Sequence, residues 1–99
     1  MKKHFLLRLN PIRPGFAQNM LAEERITMQE HILYWKDLMK QGIALVFGPV
    51  HDPKGVYGIG IIQAESEDQV RTLIANDPAN RINKYEFYPM TAITPSNQD

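Results

Sequence analysis

The sequence predicts an α+β fold, one four-stranded antiparallel sheet with two helices packed on one face, and three observations predict it. Two segments carry apolar residues at helical spacing, about Leu21 to Gln41 and Ser66 to Asn76. Short apolar runs of strand length flank and separate them. The two runs between the helices are joined by turn residues, so they form a hairpin and give the order β-α-β-β-α-β. A length of 99 residues suits one domain, 1–99, with a polar tail from about residue 94 that is expected to fray.

Lys3 to Leu9 reads as the first strand, stopped by Asn10-Pro11. A loop with Pro11, Pro14 and Gly15 leads into the first helix, whose stripe is Leu21, Met28, Ile32, Trp35, Leu38 and Met39. Glu23 and Glu24 in its first turn and Lys40 in its last suit the helix macrodipole, and Gly42 is placed to end it. Thr27 to Glu30 also fits a capping box, so the helix has a second candidate start there; the longer helix is favoured, with an irregularity expected near Thr27. Ile43 to Phe47 is the second strand, closed by Gly48-Pro49, and the turn His51 to Gly55 returns the chain as the strand Val56 to Gln63. Ser66 with Gln69 caps the second helix, with Val70, Leu73 and Ile74 as its buried stripe. Asp77-Pro78 ends it, because the residue before proline avoids helical geometry. Tyr85 to Ala92 is the last strand, and Pro89 within it implies an edge or a bulge.

This is the ferredoxin-like arrangement, but its strands are apolar on both faces. An antiparallel sheet with one wet face shows alternation instead. Every residue from Ile43 to Phe47 is apolar, and Val56 and Ile62 alternate with Tyr57, Ile59 and Ile61. Two helices cover one face only. A second copy of the chain, packed sheet to sheet as a homodimer, is the economical cover for the other.

Lysine plus arginine and aspartate plus glutamate both total 11, so no basic excess points to nucleic acid or a membrane surface. No apolar stretch reaches the roughly 20 residues of a membrane helix. The chain has no cysteine, which removes disulfides and thiolate chemistry and fits a cytoplasmic location. His4, His31 and His51 match no usual ligand spacing, so no metal is expected. Gly58-Ile59-Gly60 lies within a strand and is not a nucleotide loop. Tyr85, Phe87 and Tyr88 lack a basic surround and read as core.

His31 lies on the apolar side of the first helix beside Met28, Ile32 and Trp35. It reads either as an acid–base group or as a core histidine satisfied by backbone. Asp77 reads either as a carboxylate that orients an imidazole or as a local turn aspartate. Gly48-Pro49 is either punctuation or backbone that approaches a ligand. Arg8 shares a strand face with His4 and Leu6, where it meets an acidic substrate or serves as an ordinary surface residue.

Met28-Gln29-Glu30-His31, Tyr34-Trp35, Gly42, Phe47-Gly48-Pro49-Val50, Asp52-Pro53-Lys54-Gly55 and Asn76-Asp77-Pro78-Ala79 together resemble the YciI-like (YCII-related) family. The resemblance covers almost the whole chain. It implies a likeness to muconolactone isomerase and other dimeric α+β barrels, whose subunits pack sheet to sheet. It also implies an active site that pairs His31 with Asp77 in one pocket. Trp35, Phe47 and Tyr85 become candidate pocket walls, and backbone at Gly48 and Pro49 a candidate oxygen holder. Many relatives carry a glycine just after Asp77-Pro78-Ala79, and Asn83 is expected to supply positive φ in its place. One family member is a dehydrochlorinase of a chlorinated hydroxyquinol. The expected function is a cofactor-independent enzyme doing elimination or isomerisation on a small cyclic or aromatic molecule. The alternatives are a non-catalytic ligand-binding protein and a cofactor-free monooxygenase.

Overall fold

A computed structural model describes residues 2–95, so Ser96 to Asp99 of the expected frayed tail lie outside the described residues. The strands are β1 (Lys3–Pro11), β2 (Ala44–Val50), β3 (Tyr57–Ala64) and β4 (Asn83–Met90), and the helices α1 (Ala22–Lys40) and α2 (Glu67–Asn76). Short 3₁₀ turns occupy Phe16–Gln18 and Pro78–Arg81. The fold is ferredoxin-like α+β, with β1 and β3 central in an antiparallel sheet of order β2-β3-β1-β4.

Several boundaries differ from the sequence reading for physical reasons. β1 does not stop at Asn10 but runs on to Pro11, which pairs with Asn83 at the end of the ladder. β2 runs through Gly48-Pro49 to Val50, because an edge strand tolerates a residue without an N–H. β4 is the other edge, which accommodates Pro89, and it begins earlier and ends earlier than expected. α1 is continuous across Thr27, whose hydroxyl donates to the Glu23 carbonyl instead of capping a new helix. No residue other than glycine has positive φ among the described residues, so Asn83 does not replace a glycine conformationally. Its amide donates to the Ala79 carbonyl at 3.3 Å and ties β4 to the turn after α2.

Each helix is closed by local chemistry. The Glu24 carboxylate accepts the Leu21 N–H at 2.8 Å and both terminal nitrogens of Arg13, at 2.7 and 2.8 Å, which anchors the β1–α1 loop. Its bond from Arg13 first, and the Leu21 N–H second, hold its pKa at about 2. A depressed carboxyl stabilises above the ordinary carboxylate range, and the contribution is lost as pH falls toward 2. At the other end, Gly42 takes φ 77, and the N–H groups of Gly42 and Ile43 bond the Met39 and Leu38 carbonyls in a Schellman motif. Ser66 Oγ accepts the Gln69 N–H to start α2.

Both helices lie on the face formed by Phe5, Leu7, Ile62 and Ala64, which with Trp35, Leu38, Ala44 and Val70 make the core. Alternation along β1 leaves His4, Leu6 and Arg8 on the opposite face. There the register aligns Leu6 with Ile61 and Tyr88, and Ile61 with Val46. Val46 and Tyr88 are about half exposed, at 48% and 51%, so Tyr88 is not a core residue of the single chain. Among the described residues no helix covers this apolar surface.

One close approach fixes the height of α1 above the sheet. A Cβ on Gly60 would sit 2.3 Å from the Trp35 ring, so the indole rests on bare backbone. Gly60→Ala is expected to lift the indole and destabilise by about 1–3 kcal/mol, the usual cost of overpacking. Chemical denaturation followed by Trp35 fluorescence measures it, and an unchanged midpoint would show that the contact is slack.

Candidate functional site

Asp77 is the last residue before the Pro78 turn, and its position follows from the Asp-Pro step. Proline ends α2 and extends Asp77 to φ −77 and ψ 124, which turns the side chain inward under α1. The same carboxylate caps the 3₁₀ turn by accepting the Ala79 N–H at 2.9 Å. α1 supplies two further donors one helical turn apart. His31 Nδ1 lies 2.9 Å from both carboxylate oxygens, and Trp35 Nε1 donates to Oδ2 at 2.7 Å. β4 supplies the last, the Tyr85 hydroxyl, which also donates to Oδ2.

Asp77 is 3% exposed and His31 8% exposed, so this is a buried pair. Burial alone pushes the Asp77 carboxyl up, but the bonds from His31 and Tyr85, the His31 charge and the Ala79 N–H outweigh it. The net position is below the ordinary aspartate value. An ionised carboxylate only accepts hydrogen bonds, so the proton of neutral His31 must sit on Nδ1. The lone pair is then on Nε2. No group among the described residues bonds Nε2, and no buried side-chain nitrogen or oxygen is left without a partner, so Nε2 reaches solvent. The pair therefore leaves the Nε2 lone pair uncommitted, backed by a buried negative charge.

The aromatic rings around the pair are held in turn. Trp35 packs between His31, at 6.1 Å between centroids, and Phe47 at 5.6 Å. Tyr34 donates to the Leu73 carbonyl at 2.8 Å, linking α1 to α2. Burial raises the Tyr34 phenol to about 12, with the Asp77 charge adding to it. Burial, then the Asp77 charge and hydrogen bond, push Tyr85 up further.

The structure thus brings together His31, Asp77, Trp35 and Tyr85. Trp35 and Tyr85, read as walls from the sequence, are hydrogen-bond donors to Asp77. Phe47 stands one ring behind Trp35. Gly48 and Pro49 follow it on the edge strand opposite Ile59 and Gly58, and no hydrogen bond joins them to the pair. Arg8 is on the other face of the sheet, where its guanidinium lies 3.8 Å from the Tyr57 ring centroid. Among the described residues no three His, Asp or Glu side chains cluster as metal ligands would. Sequence reasoning missed Ala79 as a donor and Gly60 as the seat of Trp35. The Asp-Pro-Ala step carries a signal for the first, since aspartate commonly bonds the N–H two residues on. The second needed the register.

A family model described as "YCII-related domain" matches residues 5–94. No curated protein sequence matches. Among solved structures, a 5-chloro-2-hydroxyhydroquinone dehydrochlorinase of Burkholderia phenoliruptrix AC1100, in complex with 2,5-dihydroxybenzoquinone, is similar with a TM-score of 0.63. The two are 21% identical over 94% of this chain and 98% of that one, a likeness that shows the fold. A cofactor-independent oxygenase of Streptomyces nogalater has a TM-score of 0.49 and 14% identity over 94% of each chain.

The buried phenols generate a prediction. A raised pKa stabilises fully below the unfolded value near 10 and is lost as pH rises through the folded value. Absorbance at alkaline pH should therefore show Tyr34 ionising only near 12, with unfolding, and Tyr85 no earlier. Asp77→Asn should bring both transitions down by removing the buried charge. Identical curves for the two proteins would mean that Asp77 does not act on these phenols.

Proposed function

The chain belongs to the YCII-related domain family, and from that premise we propose that it is a cofactor-independent enzyme working by proton transfer at His31. The observation that carries this reading is the Asp77 carboxylate, anionic, buried and bonded to His31 Nδ1. It fixes the tautomer in which Nε2 is the base and stabilises the imidazolium formed when Nε2 takes a proton. Trp35 and Tyr85 keep Asp77 from rotating and from taking the proton itself.

The substrate we propose is a small cyclic or aromatic molecule with ring hydroxyls. His31 removes a proton from it, and the electron pair left behind either expels a leaving group such as chloride or shifts within the ring. In the second case His31 returns the proton at another atom. The dehydrochlorinase that shares this fold acts, by its name, on a molecule of this class, which supports the proposal without fixing the reaction. Phe47, Gly48 and Pro49 remain candidate contacts for that substrate.

We assign the protein a homodimer through the sheet face that carries Leu6, Val46, Ile61 and Tyr88, with residues 1–99 acting as one domain. Exposed apolar area of this extent is costly in water, and a copy of the same face is complementary to it in chemistry. A cytoplasmic location belongs to the same reading and is supported by the absence of cysteine.

Two measurements test these statements. With a chlorinated hydroxyquinol as probe, turnover should fall by roughly 10² or more in His31→Asn, the usual contribution of a positioned acid or base. Asp77→Asn should also lower kcat by stabilising the wrong tautomer. Ligand binding with no turnover in the unmodified protein would favour a binding role, and oxygen consumption would favour monooxygenation. A drop in melting temperature for His31→Asn with unchanged specific activity would end the catalytic reading. Sedimentation at micromolar concentration should give twice 11.4 kDa, and Val46→Lys should shift it toward 11.4 kDa. An 11.4 kDa species alone in the unmodified protein would rule the dimer out.

A further inference from the structure

The Asp77 carboxylate is claimed more fully than the orientation of one imidazole requires. An ionised carboxylate offers about four lone-pair sites. Oδ1 accepts the Ala79 N–H at 2.9 Å, and Oδ2 accepts the Trp35 indole N–H at 2.7 Å and the Tyr85 hydroxyl. His31 Nδ1, 2.9 Å from each oxygen, therefore shares an anion on which three other donors already draw.

Those three donors have a sign in common. Each N–H or O–H dipole points its positive end at the carboxylate, from the turn after α2, from α1 and from β4. Such dipoles favour negative charge at the site and oppose positive charge beside it. An imidazolium on His31 would stand against all three. The donors are also held in place. The indole rests on the bare backbone of Gly60 and packs on Phe47, and the Ala79 N–H belongs to the 3₁₀ turn. Burial, then the Asp77 charge, push the Tyr85 phenol up, so its proton stays in place as a donor. Against burial, the bonds from His31 and then Tyr85 bring Asp77 below its ordinary value, so the hydroxyl acts on the charge as well as on packing.

Other titratable groups on the packed elements are aimed elsewhere. Tyr34 of α1 spends its hydroxyl on the Leu73 carbonyl at 2.8 Å. Glu30 of α1 and Arg81 after α2 are exposed and lie 3.9 Å apart, where their opposite charges offset each other. Lys84 and Glu86 flank Tyr85 on β4 and alternate to the other face of the sheet.

We propose that Tyr85 and Trp35 are positioning residues that restrain proton uptake by His31. By drawing on the Asp77 charge and opposing an imidazolium, they keep Nε2 in its neutral, proton-accepting state. This rests on the reading of His31 as the base, and it is measured without a substrate.

NMR of the His31 ring nitrogens in the ligand-free full chain reads both the tautomer and the proton uptake. The pair titrates as a unit, so the midpoint belongs to both groups. Tyr85→Phe deletes one hydroxyl and keeps the ring. The proton should stay on Nδ1 and the midpoint should rise by about one pH unit, a tenfold change of the size that losing a hydrogen bond to a charged group brings. Trp35→Phe should move it the same way, and Tyr34→Phe should leave it in place. If Trp35→Phe does not fold, the two tyrosine variants decide. An unmoved or lowered midpoint in Tyr85→Phe would overturn the proposal, as would an equal rise in Tyr34→Phe or transfer of the proton to Nε2. With a chlorinated hydroxyquinol as probe, the acid limb of the turnover profile should rise together with the ring midpoint. Absence of turnover in the unmodified protein would count against the enzyme reading alone, because the ring titration still decides the restraint.

Discussion

A carboxylate that is 3% exposed must be neutralised, paired or fully hydrogen-bonded, and Asp77 organises the molecule around that requirement. Leaving it unpaired would cost several kcal/mol, comparable with the whole stability of a small domain. The chain meets the cost with donors from separate parts of the fold. α1 contributes His31 and Trp35, β4 contributes Tyr85, and the turn after α2 contributes the Ala79 N–H. None of these elements can shift alone without stripping a bond from a buried anion. The charge thereby fixes how α1 sits relative to α2 and the edge strand, and apolar packing by itself is less directional.

The sheet fixes Trp35 from below. Gly60, a central-strand residue with no side chain, lets the indole settle on backbone, which sets the height from which Nε1 reaches Asp77. Phe47 then packs against the same indole from β2. A glycine in a strand interior weakens the strand, so its use here exchanges local strand propensity for the placement of one hydrogen-bond donor. Packing and polar satisfaction thus converge on a single side chain. The histidine beside it inherits a defined ring orientation.

The order of elements, the hairpin and the caps were legible in the sequence because each rests on local chemistry, whereas the meeting of His31 and Asp77, 46 positions apart, was implied only by the resemblance to the YciI-like family. Ser66 with Gln69, Gly42 after Lys40 and Asp77 before Pro78 act within a few residues. What escaped was set by register across strands. Arg8 and Leu7 are neighbours in sequence but lie on opposite faces of the sheet, so nothing near Arg8 reveals what it meets. Gly60 under Trp35 and Tyr85 beside Asp77 are likewise products of strand order. The ends of β1 and β2 were misjudged because Pro11 and Pro49 break an interior ladder but not a ladder's end or an edge. The side chains gathered on Asp77 were recognisable as candidates, while their roles as donors emerged only from three-dimensional placement.

His31 and Asp77 are separated by 46 positions, and Tyr85 lies beyond both. Between them the chain must form the β2–β3 hairpin and α2, and β4 must add to the far side of β1. Contacts that span so much sequence carry the loop-closure entropy of everything in between, so they form late in folding. A ribosome-bound chain that has emerged as far as Asp77 holds both members of the pair and still lacks the strand that carries Tyr85. The full set of donors on Asp77 therefore exists only once β4 has joined the sheet beside β1.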